Sequence, residues 1–432
     1  MKYSMPDLAA VRRFLSAGCD GSIALDALEA TYIQAGAAGP TRVLYEAPAA
    51  NGQVLRLAAR RVGAAKGRRI EATINARSPR PHASTGFMQA ALYASDLELL
   101  FQVFPADESL TSLPIAVDGS AMAATLQAML GGHHTRLQHV APHVVRYKPE
   151  RKCLLRYDLT WTGREAGEMP RVVWARIARQ SKFERTRNIL ARLHAAATGI
   201  GLDLPQPLGL APDLGMEFFG HVPGIVLFAS VERDDFPALC RRVGDALRRF
   251  HTLPLQVEEV FDVHAQLKRL AENAVEFAWM VPREAKRIAE IEREIALRLQ
   301  AETSSPLRFI HRDFHGDNIL VSADGRLALI DFEDCAMGEP ADDIGSNWAQ
   351  LTWHAHKASA RSARPAAGCR AFLDGYFDTP DQTTAARLPT YAAMHCFLYA
   401  HQCLRHPRDL ARHEDAQAML RACERVLERG MK

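Results

Sequence analysis

Apolar segments rich in β-forming residues near the N-terminus, with Gly, Pro and Asn at the turns between them, predict β-strands. The first three such segments lie at 43–48, 53–63 and 91–104. A second set lies at 143–149, 153–161 and 172–178. Between the two sets, residues 121–131 show helical spacing, and Gly131 and Gly132 indicate where that helix ends.

The two β sets resemble each other in sequence. Tyr45 of the first set matches Tyr147 of the second, and Arg56 matches Arg156. We interpret the N-terminal region as a degenerate repeat of the sheet that follows it. The alternative is that two amphipathic hairpins look alike without being copies of each other.

From residue 183 the apolar residues follow the period of a helix. Residues 183–196 form one predicted helix. The next helix carries its apolar face at Phe236, Leu239, Val243, Leu247 and Phe250. Residues 209–224 predict two short strands, whereas 258–302 and 388–427 are predicted to be helical. We therefore expect an α+β fold, with a mainly β part before a mainly helical part.

Composition and charge narrow the class of protein. Apolar residues make up 48% of the 432 residues and charged residues 24%, which is typical of a folded protein and not of a disordered one. The net charge of +3 argues against a dedicated nucleic-acid binder, whose basic surface would raise the total. The length favours two or three domains or lobes, because single cores stop growing at roughly 250–300 residues.

The eight cysteines are scattered and show neither a CxxC pair nor zinc-like spacing, so we expect buried free thiols such as Cys153 and Cys396. The N-terminus lacks the apolar core of a signal peptide. No stretch reaches the roughly 18 apolar residues of a membrane helix. These features predict a cytoplasmic protein without a membrane segment, and they leave its oligomeric state open.

Residues 309–345, FIHRDFHGDNILVSADGRLALIDFEDCAMGEPADDIG, carry the clearest chemistry. Asn318 follows Asp313 closely, and two short strands joined by a turn return the chain to Asp331. Phosphoryl transfer needs a carboxylate near the attacking hydroxyl and metal ions at the phosphates. Asp313 is the candidate catalytic base, and Asn318 and Asp331 are candidate Mg²⁺ ligands.

The same stretch has a second interpretation, as the ligand set of a binuclear metallohydrolase. That set would be His311, Asp313, His315 and Asp317. Their order lacks the HxHxDH pattern, and no distant histidine cluster completes the shell. We expect His311 to support the loop instead.

HRDFHGDNIL, LIDFED and GEPADDIG resemble the catalytic loop and metal-binding segment of the aminoglycoside phosphotransferase and choline kinase superfamily, with Asp343 at a recurrent acidic position. They resemble protein kinases more distantly, since Glu333 stands where those carry glycine. The resemblance covers roughly residues 140–430. It implies a two-lobed protein-kinase-like fold and a kinase that uses ATP and Mg²⁺ to phosphorylate a hydroxyl of a small molecule: an amino sugar, a sugar or an amino alcohol.

We also expect the chain to divide into three parts, of which the first is a hypothesis outside the region that the resemblance covers. Residues 1–132 are the N-terminal α/β cap region, which contains the proposed repeat of the small-lobe sheet. Residues 133–222 correspond to the small kinase-like lobe, and residues 223–432 to the helical lobe with the catalytic loop.

The nucleotide-binding residues implied by the resemblance depart from the family pattern. Arg176 stands where a lysine usually binds the α- and β-phosphates, with Glu184 as its candidate partner and Lys182 as a substitute cation. The turn that is glycine-rich in protein kinases offers Lys148 and Arg151 instead. The segment that presents backbone groups to adenine is expected at Met216, Glu217, Phe218 and Phe219.

Three further groups have two interpretations each. Acidic residues near the motif either attract a cationic acceptor or are solvated and capping residues: Asp317, Glu333, Asp334, Glu339, Asp342 and Asp343. Aromatic and histidine residues line an acceptor pocket or belong to the core: Trp348, Trp353, His354, His356, Tyr391, His395, Tyr399 and His401. The basic residues of 56–80 form an anion-binding face or a solvated sheet edge.

Two rival functions remain at this point. A nucleotide-binding regulatory protein of the same fold, without catalysis, would account for Arg176 and for the missing glycine-rich loop. A protein kinase is disfavoured, because no APE-ended activation loop follows Glu333.

Overall fold

The computed structural model describes residues 7–20, 24–36, 39–49, 54–78, 86–132, 134–178, 183–196, 200–358, 363–405 and 411–431. The chain divides into two compact units. The first contains residues 1–184, 206–221 and 405–408, and the second contains residues 185–205, 222–404 and 409–432. Antiparallel sheets dominate the first unit and helices the second, so the predicted α+β class is confirmed.

The first unit contains an N-terminal antiparallel sheet. Its strands are β1 (Glu29–Gly36), β2 (Gly39–Pro48), β3 (Val54–Arg61), β4 (Ala91–Ala94) and β5 (Leu99–Val103). The strands pair in the order β1-β2-β3-β5-β4. The helices of this part of the chain are α1 (Leu8–Ala17), α2 (Ala64–Arg77), α3 (Leu113–Ala116) and α4 (Gly119–Leu130).

A second antiparallel sheet of this unit begins with β6 (Thr135–Lys148), β7 (Lys152–Gly163) and β8 (Val172–Ala178). The chain then forms helix α5 (Phe183–Ala196) and the short strand β9 (Leu202–Asp203). It completes the sheet with β10 (Pro207–Ala211) and β11 (Met216–Gly220), in the order β6-β7-β8-β11-β10. Buried and less buried residues alternate along β7, as a strand with one face in the core requires.

The two sheets of the first unit share one strand order. Each is a three-stranded meander followed by a hairpin whose second strand pairs with the third strand of the meander. The hairpin turns also match: a 3₁₀ turn at Ser95–Leu97 leads into Glu98 with φ of 50°, and one at Pro212–Leu214 leads into Gly215 with φ of 57°.

The residue pairs that we matched from the sequence do not occupy equivalent strands: each pair is offset by one strand. Tyr45 lies in the second strand of its sheet, but Tyr147 lies in the first strand of the other. Arg56 and Arg156 are offset in the same way. The offset arises because strand β1 was not predicted from the sequence. In the shared strand order, Tyr157 takes the position of Tyr45.

Both sheets contribute to one apolar core of the first unit. Leu44 and Ala58 of the N-terminal sheet belong to the same buried cluster as Leu155 and Tyr157 of the second sheet, and Met122 of α4 joins them. Burial of such side chains stabilises a fold by about 1.5–3 kcal/mol each. The two sheets therefore stabilise each other.

The interpretation of the basic stretch as a sheet edge is wrong for most of its length. Residues Ala64–Arg77 form α2, because this segment is rich in helix-forming Ala, Arg and Lys and lacks the alternation of a strand. Arg56 and Arg60 do lie on a strand, β3, where they form ion pairs with Glu46 and Glu150.

The second unit is mainly helical. Besides α5, all but the first two residues of which belong to this unit, its helices are α6 (Phe236–His251), α7 (Val263–Met280), α8 (Ala285–Ala301), α9 (Ala341–Ala358), α10 (Arg364–Tyr376), α11 (Gln382–Leu404) and α12 (Ala411–Arg429). Its further strands are β12 (Ile225–Val226), β13 (Val260–Phe261), β14 (Arg308–Ile310), β15 (Ile319–Val321), β16 (Leu327–Leu329) and β17 (Ala336–Gly338). They form two small sheets, in the orders β12-β15-β16-β9 and β13-β17-β14.

Glycines allow α6 and α10 to pack closely. A Cβ atom on Gly375 would lie 2.0 Å from the backbone oxygen of Arg241, and one on Gly244 would lie 2.1 Å from that of Phe372. No side chain fits at such distances, so the contact requires glycine on both helices. The five apolar residues predicted for one face of α6 are all buried.

The cysteines are free thiols, and six of the eight are buried, including Cys153 and Cys396 as predicted. Burial raises the pKa of Cys153 to about 12, so this thiol stays protonated and unreactive. Within the described ranges, none of the helices combines the length and apolar character that crossing a bilayer requires.

Candidate active site

The loop between β14 and β15 holds Asp313 by two neighbouring side chains. Asn318 donates from Nδ2 to Oδ2 of Asp313 at 3.0 Å and to its backbone oxygen at 2.9 Å. His315 Nε2 lies 3.3 Å from the other carboxylate oxygen, Oδ1. The Asp313 side chain nevertheless remains 48% exposed, so a hydroxyl group can approach the fixed carboxylate.

A short hairpin brings Asp331 to this loop. Strands β15 and β16 pair Ile319 with Leu329, and the backbone N–H of Ile330 donates to the oxygen of Asn318 at 3.0 Å. Asp331 is the next residue, and its φ of 66° turns the chain sharply out of the strand. The hairpin therefore returns the chain so that Asp331 directly follows the residue that bonds to Asn318.

Asp343 holds the start of the loop that carries Asp313. Its carboxylate accepts hydrogen bonds from the backbone N–H groups of His311 and Arg312, both at 2.7 Å. Arg312 has a φ of 66°, a left-handed conformation that costs a non-glycine residue about 1–2 kcal/mol. His251 Nε2 lies 3.0 Å from Oδ2 of Asp343, and both side chains are fully buried. Asp343 therefore stabilises a strained backbone beside Asp313.

His315 controls the charge of Asp313. Partial removal from water acts to raise the pKa of the Asp313 carboxyl, but the hydrogen bond and positive charge of His315 outweigh it and hold that pKa below its ordinary value. Burial acts to lower the pKa of His315, and Asp313 outweighs it in turn, so that the His315 pKa is raised. Asp313 is therefore an ionised hydrogen-bond acceptor at neutral pH.

Asn318 and Asp331 carry oxygen donors of the kind that a magnesium ion binds. Asn318 uses its amide nitrogen as donor to Asp313, so its amide oxygen is the atom it can offer to a cation. Mg²⁺ takes one or two protein oxygens and completes its shell with phosphate oxygens and water. Among the described residues, no group of three or more His, Cys, Asp or Glu side chains could hold a metal ion. This finding does not favour the metallohydrolase interpretation.

His311 plays a supporting part. Its ring Nε2 lies 3.1 Å from the backbone oxygen of Ile330, and its side chain is completely buried. The ring also packs edge-on against Phe332, with 5.1 Å between centroids. These contacts link the loop to the end of the hairpin.

Three of the acidic residues are buried and paired, and are neither solvated nor steering charges. Glu339 binds Arg387, and Asp342 lies 2.7 Å from His395 Nε2. Asp343 binds the catalytic loop. Only a small part of the acidic stretch therefore faces water, and Asp317, whose side chain is 57% exposed, belongs to that part.

The residues that the resemblance assigns to nucleotide binding lie in the first unit, as far as the structure describes them. Arg176 on β8 is buried and forms an ion pair with Glu217 on the neighbouring strand β11. The Arg176 guanidinium also lies over the ring of Phe219 at 5.9 Å, whereas Phe218 is buried in the core. Lys182 and the side chain of Glu184 lie outside the described residues.

The turn between β6 and β7 has one feature that was not predicted. Lys148 is half-buried and Arg151 is exposed, but Glu150 between them is buried and points into a cluster of basic residues. The sequence gives little sign of this contact, because its partners are distant along the chain.

Residues 157–386, more than half of the chain, match the phosphotransferase enzyme family. This chain belongs to that family. The matched region contains the catalytic loop, the hairpin and Asp343. Comparison with curated protein sequences finds no match.

Solved structures resemble this phosphotransferase at low identity. A Plasmodium vivax ethanolamine kinase shares 13% identity over 68% of this chain and 83% of its own, with a TM-score of 0.45. A Streptococcus pneumoniae choline kinase shares 12% over 72% and 98%, with a TM-score of 0.46. A spectinomycin phosphotransferase, solved with ADP and spectinomycin, shares 11% over 73% and 95%, with a TM-score of 0.47.

Three of the residues suggested for an acceptor pocket of the phosphotransferase are structural. Tyr391 donates its hydroxyl to Glu339, and His395 pairs with Asp342. His401 lies 2.9 Å from the amide oxygen of Asn273. These side chains are buried, so they hold α11 against its neighbours.

One further candidate, His354, lies in the same unit as Asp317 and its partner Gln350. Gln350 accepts from the N–H of Gly316 at 3.0 Å and donates to Asp317 at 2.9 Å. His354 stacks on Phe228 with 4.0 Å between ring centroids, and burial lowers the pKa of His354 to about 4, so its ring is neutral. Sequence reasoning missed Phe228 and Gln350, which had no recognisable motif.

The remaining residues suggested for an acceptor pocket lie on α9 and α11. Trp353 is nearly buried and packs against Tyr399, with 5.4 Å between centroids. Lys357 lies over the Trp353 ring at 4.6 Å. Trp348 is half-buried and packs on the helical core, and His356 is exposed.

Proposed function

We propose that this chain transfers the γ-phosphoryl group of ATP to a hydroxyl group of a small molecule. The hydroxyl oxygen forms a bond to the γ-phosphorus while the bond from that phosphorus to the β,γ-bridging oxygen breaks, and ADP leaves. Asp313 orients the hydroxyl and accepts its proton. One observation carries the proposal: the Asp313 carboxylate is fixed by Asn318 and His315 yet remains half-exposed.

The proposal assigns Mg²⁺ to the oxygens of Asn318 and Asp331. The ion would neutralise charge on the β- and γ-phosphates. The hairpin supports this assignment, because Ile330 pairs with Asn318 and keeps Asp331 next to it. Arg176, Lys148 and Arg151 are the proposed phosphate-binding cations, with Glu184 as a proposed support for Arg176.

Asp331→Asn is expected to raise the Mg²⁺ concentration needed for half-maximal activity at least tenfold, because even residues that act indirectly on a bound metal produce losses of that size. The asparagine keeps the shape of the side chain and removes its charge. A magnesium titration of turnover measures the effect. The matched control is Asp324→Asn, on the exposed tip of the same hairpin, whose titration should be unchanged. An unchanged midpoint for Asp331→Asn would remove Asp331 from the metal site.

The acceptor is proposed to be an amino sugar, a sugar or an amino alcohol. Asp317 supports a cationic acceptor, since Gln350 holds its carboxylate four residues from Asp313 in the chain while leaving it exposed. The half-buried His354 ring, which is neutral and stacks on the buried Phe228, offers an aromatic surface in the same unit. A protonated amine next to the reacting hydroxyl suits both features.

Asp317→Asn is expected to raise the KM for a cationic acceptor about two- to fivefold, as the loss of an exposed charge pair does. The KM for ATP and kcat should stay unchanged, because the amide can still accept the hydrogen bond from Gln350. Steady-state kinetics with an amine-bearing acceptor and its uncharged analogue measure this. Asp378→Asn, an equally exposed aspartate on another loop, serves as control. An equal loss for both acceptors would argue against a charge contact.

The test of the function is transfer of label from γ-labelled ATP, with Mg²⁺, into a small-molecule extract and into a panel of sugars, amino sugars and amino alcohols. Label in a small product, absent with Asp313→Asn, would support the kinase and begin to identify its acceptor. Absence of transfer despite Mg·ATP binding would favour the regulatory nucleotide-binding protein. The ion pair between Arg176 and Glu217 motivates this second candidate function, because Glu217 binds the guanidinium that the resemblance assigns to phosphate.

A further inference from the structure

The turn between β6 and β7 carries two of the cations that the proposed function assigns to the nucleotide, Lys148 and Arg151. Glu150 lies between them with a φ of 59° and only 3% of its side chain exposed. A left-handed conformation costs a non-glycine residue about 1–2 kcal/mol. The surrounding contacts must therefore hold Glu150 in place.

Three side chains from the N-terminal sheet surround the Glu150 carboxylate. Arg60 Nη1 lies 2.7 Å from Oε2, and Arg42 Nη2 lies 3.0 Å from the same atom. Gln102 Nε2 donates to Oε1 at 2.9 Å. A buried carboxylate is stable only when its charge and lone pairs are satisfied in this way. We call Glu150 with Arg42, Arg60 and Gln102 the turn clamp.

The backbone of the turn is held as well. The N–H of Glu150 donates to Oδ2 of Asp107 at 2.8 Å, and the hydroxyl of Tyr147 donates to the same oxygen at 2.7 Å. The other oxygen of Asp107 accepts from the N–H groups of Ser109 and Leu110, both at 2.8 Å. Asp107 is 3% exposed, so this second attachment is also buried.

Arg60 and Arg176 occupy equivalent positions in the shared strand order. Arg60 lies on the third strand of its meander, opposite Leu100 of the last strand. Arg176 has the same place in the second sheet, opposite Glu217. Arg176, which the resemblance assigns to a phosphate, thus corresponds to Arg60, which binds the carboxylate of Glu150. Glu150 occupies the anion position beside Arg60.

We propose that Glu150 is a positioning residue for the nucleotide: through the turn clamp, the N-terminal sheet fixes the turn 148–152 so that Lys148 and Arg151 can bind phosphate. This inference rests on the proposed function. In protein kinases a glycine-rich loop covers the phosphates. Here a buried ion-pair cage fixes a charged turn, so the order of the turn is established before the nucleotide binds.

Glu150→Gly removes the carboxylate and relieves the left-handed backbone at once. Its matched control is Glu98→Gly, because Glu98 is an exposed glutamate with a φ of 50° at a tight turn of the N-terminal sheet. Both substitutions give the backbone the same additional conformational freedom, but only Glu150→Gly removes the turn clamp. Glu150→Gln keeps the shape and one acceptor oxygen, so it should restore part of the effect.

The measurement is binding of a fluorescent ATP analogue with Mg²⁺, which needs no acceptor. Glu150→Gly should raise its Kd about tenfold, since a turn that is correctly placed only a tenth of the time weakens binding by that factor. Glu150→Gln should lie between Glu150→Gly and the wild type, and Glu98→Gly should match the wild type. Amide hydrogen exchange at 148–152 without nucleotide should quicken most in Glu150→Gly, less in Glu150→Gln and not in Glu98→Gly. The KM of the acceptor should not change.

The outcomes separate this inference from the function on which it rests. If the wild type binds the analogue and Glu150→Gly has the same Kd as Glu98→Gly, the positioning role is overturned. The kinase proposal would still stand. Failure of the wild type to bind the analogue would overturn both. An equal loss for acceptor and nucleotide would indicate general destabilisation, and unchanged exchange at 148–152 would show that the turn clamp does not order the turn. Either result would also overturn the inference.

Discussion

Asp313→Asn is expected to lower kcat by about 10²–10⁴-fold, the range that loss of a positioned general base produces. Asparagine preserves the size of the side chain, but its amide accepts no proton at neutral pH. The Kd of Mg·ATP should stay the same, because Asp313 is assigned to the acceptor hydroxyl. Single-turnover transfer of labelled phosphate and nucleotide binding, measured on one preparation, give the two quantities.

The control for this change is Asp317→Asn, which removes an equally placed negative charge from the same loop. It should retain wild-type kcat. If Asp313→Asn kept more than a tenth of wild-type kcat, another group would have to take the proton. If it lost nucleotide binding too, the change would have damaged the loop, and the assignment of Asp313 as base would lose its support.

Glu339→Gln is expected to lower the free energy of unfolding of the second unit by about 3–5 kcal/mol, as removal of one partner of a buried ion pair does. Glu339 and Arg387 are each 1% exposed, and Arg387 Nη2 lies 2.8 Å from Glu339 Oε2. The same carboxylate accepts from the backbone N–H of Ser305 and from the hydroxyl of Tyr391. Glutamine can satisfy only part of this set. Urea unfolding followed by fluorescence measures the change.

Glu294→Gln provides the comparison, because Glu294 pairs with Arg298 on the surface of α8 with both side chains about a third or more exposed. Its loss should be below about 1 kcal/mol. The double variant Glu339→Gln with Arg387→Met should be less destabilised than the sum of the single changes, since their cost is shared. A loss for Glu339→Gln no greater than that for Glu294→Gln would contradict the role of the buried pair.

The arrangement of the candidate site could be predicted in part from sequence because its parts are local. Asp313 and Asn318 share one loop, and a tight hairpin determines where Asp331 returns. Short strands joined by a turn leave few ways to arrange these residues. Their relative placement therefore follows from spacing alone, although their roles remain predictions.

The contacts that support the site could not be predicted, because they join residues far apart in the chain. His251 meets Asp343, and Gln350 meets Asp317, only through packing between helices. Arg176 illustrates the same difficulty, since its partner Glu217 is an adjacent-strand neighbour whose register the sequence does not reveal. Such pairs require the tertiary fold to be known.

The apolar core of the first unit extends beyond the part of the chain that matches the family. A recombinant fragment trimmed to residues 157–386 would begin inside β7 and end inside α11. It would lose β6 and leave an open sheet edge, and the apolar side chains that both sheets bury together would meet water. The limits of family similarity therefore mark where sequences have stayed alike, and a soluble product needs the N-terminal sheet as well.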